Sequence, residues 1–376
     1  MVRLCGVSAE LYNRCNFLIR QAWFNQERLP DIGMLIEATQ PLDCFKNLHN
    51  TKTAKQTIRK VLSDWTNFKK ALRAYSKDKS KFLRRPKAPG YKRKLAQVIF
   101  YSETIKGGQG NKKIERIIPS NNLFDIPWKE GFKQVVVTPM SFGFMIEVSY
   151  EQAQPEKPVL KKERFCSIDL GINNLATIAS DQHSPILING RIVKSFNRHY
   201  NKNVCPKTSR KRYFRLQNYF HHVSKLIMEN AVKHQMSKIV IGKNDGWKTG
   251  SKLVKKTNQS FQSIPFNMLI EKIQYKAEEL GIDVILTEEA YTSKASFLDR
   301  DKIPSYEKGA SHKFSGKRIK RGLYQSAKGI LLNADVNGAG NIGRKVFPKI
   351  AESEGWDRSV AATPVVINPL RMSLPV

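Results

Sequence analysis

The spacing of hydrophobic positions changes along the chain of 376 residues. Up to about residue 75, apolar residues recur every three or four positions, which predicts helices with one buried face. The clearest stripe consists of Ile58, Leu62, Trp65, Phe68 and Leu72. Residues 96–150 carry β-branched and aromatic runs divided by Gly, Asn and Pro, which is typical of strands in a small antiparallel barrel or sheet.

After Glu163 the pattern becomes mixed, with apolar strand-like runs alternating with amphipathic helices. This order predicts one mixed sheet covered by helices. A long helical stretch reaches about His234, and a last helix covers 333–347. From residue 351 no period is strong, and we expect a disordered tail. The predicted strands are 165–170, 174–179, 186–194, 238–242 and 283–289.

Charge narrows the choice of partner. Lys and Arg number 65 against 32 acids, a formal net charge of +33, so the chain should bind a polyanion. An anionic membrane is the rival to nucleic acid, but the basic residues form no single amphipathic tail and no apolar run could span a bilayer. Residues 51–94 hold sixteen basic residues and two acids, which favours phosphate contacts over a merely solvated face. With no apparent signal peptide and five scattered cysteines, the expected location is the reducing cytoplasm.

Acidic residues at the ends of predicted elements suggest a reaction centre. Asp169 ends an apolar strand, although alone it is more typical of a turn former. Asp335 lies in the first turn of a helix with small or apolar residues on one face, where helix capping is the simpler role. Glu288 and Glu289 end another strand. These acids could converge on one point.

Clustered carboxylates repel one another unless divalent cations hold them. Ligand sets made only of oxygen favour Mg²⁺ or Mn²⁺. Two such ions clamp the attacking water and the leaving oxygen when a phosphodiester is cleaved. Together with the basic surface, this chemistry indicates a nuclease.

Four motifs carry a resemblance to a known family. "SIDLGINNLATIAS", "KIVIGKNDGWK", "EEAYTSKASFLD" and "NADVNGAGNIGR" resemble the RuvC-type nuclease motifs of TnpB proteins. These are OrfB-type accessory proteins of insertion sequences, also known as transposases, and are related to type V CRISPR effectors. The motifs span residues 165–347 in order, and the N-terminal part resembles the family more loosely.

The resemblance implies an α+β multidomain fold. A helical recognition lobe would cover 1–95, and a small wedge-like β-barrel with a linker would cover 96–160. An RNase H-like, or RuvC, mixed α/β nuclease domain would cover 161–350, with a basic insert at 291–330. The remaining residues, 351–376, would form the tail.

The activity implied is that of an RNA-guided, Mg²⁺-dependent DNA endonuclease. Its guide RNA would come from the transposon end, and its double-stranded DNA target would lie beside a short flanking motif. Asp169 and Asp335 match the first and last carboxylates of a site for two metal ions. Many relatives carry the middle glutamate where this chain has Gly242, so we expect Glu289 to replace it. Glu288 is the alternate ligand, and Asp245 is a weaker one.

Two other functions stay open at this stage. A nuclease-dead, RNA-guided DNA-binding repressor is supported by Gly242 and opposed by the retained acids. A transposase that performs strand transfer itself is the weaker of the two, because no further motif calls for it.

The chain also departs from its relatives in two places. Many of them carry a zinc ribbon of paired cysteines where Ser296 and Asp299 stand here, so we expect no zinc. The chain starts almost directly in the helix "LYNRCNFLIRQ", without the preceding strand of many relatives, and we expect a truncated or misassigned start.

Basic and aromatic residues outside the acids are predicted to contact nucleic acid. Thr292 and Ser293 have two equal alternatives, contact with the scissile strand or structural capping. The predicted contacts are Arg84, Arg85, Lys87, Lys92, Arg93, Lys94, Trp247, Lys248, Lys294, Lys317, Arg318, Lys320 and Arg321.

Overall fold

The chain divides into two compact units, Met1–Ala153 and Gln154–Val376, which are described separately. Three residues named above, Asp245, Trp247 and Lys248, lie outside the residues that the structure describes. The computed structural model describes residues 1–48, 50–82, 84–101, 105–106, 116–119, 126–127, 130–153, 156–243, 263–307 and 311–370.

Helices begin the first unit, as the apolar spacing predicts. They are α1 (Val2–Phe24), α2 (Ile32–Thr39), α3 (Asp43–Lys46) and α4 (Thr51–Lys77). Asp31 and Asn50 cap α2 and α4 by accepting hydrogen bonds from backbone N–H groups, at 3.0 and 2.7 Å. The predicted stripe of α4 faces the core: Ile58, Trp65 and Phe68 are buried, and Leu62 and Leu72 are partly buried.

The strands of the first unit share this core with the helices. Val98, Phe100, Val135 and Val137 are buried in the same cluster as the α1 and α4 side chains. The predicted boundary between a helical lobe and a β domain near residue 95 therefore does not separate two cores. The strands are β1 (Val98–Tyr101), β2 (Ile105–Lys106), β3 (Arg116–Pro119), β4 (Ile126–Pro127), β5 (Phe132–Met140) and β6 (Gly143–Tyr150).

These strands pair in antiparallel sheets. β5 lies between β1 and β6, and β3 lies between β2 and β4. The described strands thus form two three-stranded antiparallel sheets, and their closure into a barrel stays a prediction.

A six-stranded mixed sheet is the centre of the second unit, which confirms the predicted mixed α/β fold. Its order is β11-β10-β7-β8-β9-β15. β8 is antiparallel to β7 and β9, whereas β10 and β11 are parallel to β7. The strands are β7 (Lys161–Asp169), β8 (Asn174–Ala179), β9 (Ile186–Asn189), β10 (Met236–Gly242), β11 (Asp283–Thr287) and β15 (Val365–Ile367).

Helices cover both faces of this sheet. On one face α5 (Arg191–Lys202), α6 (Pro206–Lys233) and α7 (Phe266–Leu280) pack over Cys166 and Ile168 of β7. On the other face, α8 (Ala334–Val346) packs over Phe165. Alternate β7 side chains therefore enter different cores, as strand geometry requires. β9 ends earlier than predicted because α5 begins at Arg191.

Three short strands form a separate antiparallel sheet before α8. They are β12 (Lys317–Lys320), β13 (Leu323–Gln325) and β14 (Leu331–Asn333). Together, β12 and β13 make a hairpin that carries Lys317, Arg318, Lys320 and Arg321. All four of these side chains are exposed.

Residues 351–370 form regular elements, which corrects the prediction of a disordered tail for this part; residues 371–376 lie outside the described residues. It forms α9 (Pro348–Ala351), α10 (Glu354–Ala361) and β15, and β15 pairs with β9 in parallel. Trp356 of α10 is fully buried and stacks on Phe165 with ring centroids 4.8 Å apart. These elements are too short to show a period in sequence, so contact with the sheet has to stabilise them.

Across the described ranges, no helix combines the length and apolar character that crossing a bilayer would require.

Replacing Trp356 with alanine tests whether this segment belongs to the core. We expect Trp356→Ala to lower the free energy of unfolding of the second unit by about 3–5 kcal/mol, because a large buried ring is lost. Val366→Ala is the matched control on exposed β15 surface and should change it by less than about 0.5 kcal/mol. Urea unfolding followed by far-ultraviolet circular dichroism measures both. Equal effects of the two substitutions would contradict the assignment of the C-terminal segment to the core of the second unit.

Candidate active site

The carboxyl ends of three parallel strands meet at one edge of the mixed sheet. β10 lies between β7 and β11, with Ile241 opposite Ile168 and Gly242 opposite Thr287. Asp169 is the last residue of β7, and Glu289 follows β11 by two residues. Parallel pairing thus brings the two predicted acids to the same edge.

α8 brings the third acid to this edge. Asp335 is its second residue, and the Asn333 side chain caps the helix by accepting from the N–H groups of Asp335 and Val336, at 2.9 and 3.2 Å. Asn333 therefore caps α8, and the Asp335 carboxylate is available for other contacts. Its Oδ2 accepts a hydrogen bond of 2.8 Å from the Asn174 side chain.

Glycines let α8 lie very close to the sheet, as its small residues predict. A Cβ atom at Gly338 would lie 2.8 Å from Asp169 Oδ2. At Gly343 it would lie 3.0 Å from both Phe165 Cε2 and Ser167 Oγ. Larger residues at these positions would push Asp335 away from Asp169.

Gly242 makes room for Glu289. A Cβ atom at Gly242 would lie 2.6 Å from Ile342 Cδ1 and 3.1 Å from Glu289 Oε2. The Glu289 carboxylate thus lies beside the position that bears the middle glutamate in many TnpB proteins. Its charge also acts on Asp169.

Glu288 is engaged elsewhere. Its Oε2 forms an ion pair of 3.2 Å with Lys345, and its Oε1 accepts a hydrogen bond from the N–H of Tyr306. Lys345 is 12% exposed and Glu288 is 40% exposed, so this pair is only partly shielded from solvent. The geometry favours Glu289 over the alternate Glu288, and the ligand role of Glu289 stays a prediction.

Electrostatics link the three acids. Burial raises the pKa of the Asp169 carboxyl well above its usual range, and the charges of Glu289 and Asp335 raise it further. The nearby Arg318 opposes this shift. A bound divalent cation would lower that pKa by favouring the charged carboxylate.

Arginines line the cleft beside the acids. The cleft has a volume of about 410 Å³ and includes Asp169, Asp335, Arg191, Arg318 and Arg321. Arg318 Nη2 lies 3.6 Å from Asp335 Oδ1. Arg318 and Arg321 were predicted to contact nucleic acid, and they lie here beside the acids.

Sequence reasoning missed Arg191 and Asn174. Asn174 stands inside the first quoted motif, but amides in such a stretch are typical of turns. No sequence pattern indicated a role for Arg191, because it was assigned to a strand. It lies in the cleft because α5 begins at this residue.

The oxygen donors of the three acids suit a hard divalent cation, but they are not arranged to coordinate one. All three acids supply only oxygen, as Mg²⁺ prefers. In the ranges described above, no group of three or more His, Cys, Asp and Glu side chains is arranged to hold a metal ion. Both Asp335 oxygens have partners, Arg318 and Asn174. Arg318 would have to release Oδ1 before a cation could bind there.

The loop after Glu289 is held by side chains of α8. Asn341 donates hydrogen bonds to the carbonyl oxygens of Thr292 and Ala295, at 2.9 and 2.7 Å. The buried Thr292 hydroxyl donates to the Glu289 carbonyl at 2.8 Å, which is the capping alternative for this residue. Lys294 is exposed.

Two acids tie the basic hairpin to this loop. Asp299 Oδ2 accepts hydrogen bonds from the Ser296 hydroxyl at 2.5 Å and the Ala327 N–H at 2.7 Å. Asp301 accepts from the Ser296 N–H and the Ser315 hydroxyl, at 2.8 and 2.7 Å. Partial burial raises the pKa of Asp299, but these hydrogen bonds outweigh it and the net direction is down. This network holds both ends of the hairpin that bears Arg318.

The other predicted nucleic-acid residues lie in the first unit. Arg84, Arg85, Lys87, Arg93 and Lys94 are exposed. Lys92 is partly buried, with its Nζ 4.4 Å from the centre of the Tyr12 ring.

One family model and one viral protein are similar to this chain. Residues 266–342, which include Glu289 and Asp335, match the family model described as "Cas12f1-like, TNB domain". The TnpB-like protein ORF457 of Acidianus two-tailed virus is 23% identical over 400 residues, covering 91% of this chain and 82% of the viral protein. This chain is therefore similar to Cas12f1-like and TnpB-like proteins.

Two solved structures are also similar. A Cas12f1–sgRNA–target DNA complex matches with a TM-score of 0.48 and 12% identity, over 90% of this chain and 81% of that chain. A CRISPR-Cas12f ternary complex matches with a TM-score of 0.33 and 14% identity, over 90% and 80% of the two chains.

The close packing at Gly242 can be tested by a compensating pair of substitutions. We expect Gly242→Ala to lower the free energy of unfolding by roughly 1–3 kcal/mol, because the new methyl group meets Ile342 Cδ1. Ile342→Val removes that atom and alone should cost about 0.5–1.5 kcal/mol. The double variant should be clearly more stable than the sum of the two single effects. Additive effects in urea unfolding would show that the two side chains do not meet.

Charge repulsion predicts that removing one acid stabilises the metal-free protein. A carboxyl whose pKa is raised on folding lowers stability at pH values above its unfolded pKa; the loss is complete above the folded pKa and disappears as pH falls toward the unfolded pKa. At pH 7 without divalent cations, Asp169→Asn should therefore melt higher than wild type, by about 2–4 °C for each kcal/mol relieved. Millimolar Mg²⁺ should raise the melting temperature of wild type but not of Asp169→Asn.

Asp283→Asn is the control, because Asp283 is exposed at the opposite end of β11. It should melt like wild type and respond equally to Mg²⁺. A metal-free Asp169→Asn variant that melts no higher than wild type would contradict the repulsion, and equal Mg²⁺ responses would contradict the metal site.

Proposed function

We propose that this protein is an RNA-guided DNA endonuclease of the TnpB type. The observation that carries the proposal is the meeting of Asp169, Glu289 and Asp335 at one sheet edge, beside a cleft that also holds Arg191, Arg318 and Arg321. Burial and two neighbouring acids raise the pKa of Asp169, which makes this arrangement costly to fold, and such perturbed groups concentrate at functional sites. The similarity to a TnpB-like protein and to a Cas12f1-like domain supports the same activity.

Each side chain has a role in the proposed reaction. Asp169, Glu289 and Asp335 would hold Mg²⁺ or Mn²⁺, two ions in a site. Bound there, the ions would supply charge stabilisation for the attacking and leaving oxygens. Asn174 orients Asp335 through Oδ2. Arg191 and Arg321 would hold the phosphates of the scissile strand by charge-assisted hydrogen bonds.

The topology supports an RNase H-like nuclease domain. Numbered within the domain, the first five strands have the order 3-2-1-4-5, with strands 1, 4 and 5 parallel. Asp169 at the end of strand 1 and Asp335 at the start of α8 then line one cleft, and the charge of Glu289, two residues beyond strand 5, acts on Asp169. Rigid elements therefore carry two of the three acids, as precise positioning requires.

The proposed partners are a guide RNA from the transposon end and double-stranded target DNA beside a short flanking motif. A formal net charge of +33 supports binding to two polyanions. Pairing between guide and target would select the sequence, while the protein would contact the backbone and the flanking motif.

One observation favours the alternative, an RNA-guided DNA-binding repressor without cleavage. Arg318 and Asn174 engage both oxygens of Asp335, as expected for a site that has exchanged metal for an internal cation. Gly242, in place of the usual glutamate, points the same way. The proximity of Glu289 to Asp169 is the argument against it.

A cleavage assay separates the two functions. Protein co-expressed with its transposon-end RNA is incubated with Mg²⁺ and a plasmid library that carries a guide-matched target beside randomised flanks. We expect wild type to cleave, and Asp169→Ala and Glu289→Ala to lose at least about 100-fold in rate, because each loses a ligand of the reactive site.

Glu288→Ala is the matched control, since Glu288 pairs with Lys345 instead of facing Asp169. It should cleave within a few-fold of wild type. Guide-dependent binding by wild type without cleavage would support the repressor. A greater loss of cleavage rate in Glu288→Ala than in Glu289→Ala would assign the role of metal ligand to Glu288 instead of Glu289.

A further inference from the structure

Two exposed aromatic rings flank one arginine on the first unit. Phe24 is the last residue of α1, and Arg20 lies one helical turn before it. The guanidinium carbon of Arg20 lies 5.3 Å from the centre of the Phe24 ring and 5.5 Å from the centre of the Tyr91 ring. Phe24 is 62% exposed and Tyr91 is 51% exposed. Ring surface therefore remains open to solvent beside a fixed cation.

The loop that carries Tyr91 is held against α1 by polar side chains. Arg20 Nη1 and Asn16 Nδ2 both donate to the Pro89 carbonyl, at 2.9 and 3.1 Å. Asn13 exchanges two hydrogen bonds with the backbone of Lys92, at 2.7 and 2.8 Å. The arrangement is thus present before any ligand binds, which lowers the entropy lost on binding.

Burial does not account for these rings. An aromatic ring that keeps more than half of its surface in water gains little hydrophobic stabilisation from folding. A flat apolar partner that covers the exposed ring face would supply that stabilisation. Exposed basic side chains surround the loop and favour an anionic partner. They are Arg84, Arg85, Lys87, Arg93 and Lys94.

We propose that Phe24, Arg20 and Tyr91 form a stacking platform for an unpaired nucleobase of single-stranded RNA or DNA. A nucleobase offers the flat face that an exposed ring can cover, and its phosphates suit the surrounding cations. A base inside a duplex is already stacked on both sides, so the ligand has to be unpaired. Arg20 adds cation–π attraction to both rings and keeps their separation constant.

This proposal goes beyond cleavage, and it concerns a unit that contains none of the three acids. Its test is run in EDTA, so a protein that cannot cleave can still pass it.

The experiment measures binding of the full chain to short single strands that carry one 5-iodouracil among thymines. Phe24→Ala and Tyr91→Ala should each weaken binding on the order of 5- to 150-fold, the usual effect of losing one stacked base. Phe24→Trp keeps a ring and should bind like wild type. Met34→Ala is the control for loss of exposed apolar surface, since Met34 is 51% exposed on α2.

Photo-crosslinking of the 5-iodouracil then locates the base. Mass spectrometry should find the cross-link at Phe24 or Tyr91 in wild type, and it should disappear in the double alanine variant. A strand with an abasic nucleotide at the same position should bind wild type as weakly as the normal strand binds Phe24→Ala. The slope of affinity with salt concentration should not change in these variants, because no charge is removed.

Matched RNA and DNA strands identify the source of the base. Tighter binding of either one supports the platform and assigns it to the guide or to the target. Unchanged affinity in both Phe24→Ala and Tyr91→Ala, or cross-links only at other residues, would overturn the proposal. Since both side chains are largely exposed, their variants should melt like wild type.

Discussion

The close approach of α8 to the mixed sheet is the constraint on which the acidic centre depends. Gly338 allows the helix to lie against Asp169, and Gly343 allows it to lie against Phe165 and Ser167. Asp335 starts the same helix, so this packing sets its distance from β7. The cost is electrostatic, because Asp169 is partly buried next to two other acids and its pKa rises. The close packing of α8 on the sheet thus brings the acids together, and it also makes the cluster unstable when no cation is bound.

The protein offsets part of that cost with its own cations and amides. Arg318 and Asn174 contact the two oxygens of Asp335, while Lys345 pairs with Glu288. These partners let the chain fold before metal is present, and they also explain why the acids do not form a closed metal-binding group. In the proposed nuclease, metal binding would exchange Arg318 for a divalent ion at Asp335. The hairpin that bears Arg318 would then link the proposed nucleic-acid contact to the state of the acids.

Sequence patterns predicted what regular elements determine and missed what contacts between distant segments determine. Asp169 and Asp335 were found because one ends an apolar strand and the other starts a helix rich in glycine. Glu288 and Glu289 could not be separated, since the partner of Glu288 is Lys345, 57 residues away. β15 was missed because three residues have no period, and only pairing with β9 makes them a strand. Arg191 was missed because the end of β9 was set too late in the chain.

The same physical device serves both units. In each, side chains from one helix donate to the backbone carbonyls of a loop that carries functional groups. Asn341 of α8 holds the loop after Glu289, and Asn16 and Arg20 of α1 hold the loop that bears Tyr91. Each such bond contributes only about 0.5–1.5 kcal/mol, but losing one would leave a carbonyl unpaired and cost more. Loops of this kind can keep a fixed shape without a metal or a strand ladder, which is what the proposed roles of Glu289 and Tyr91 both require.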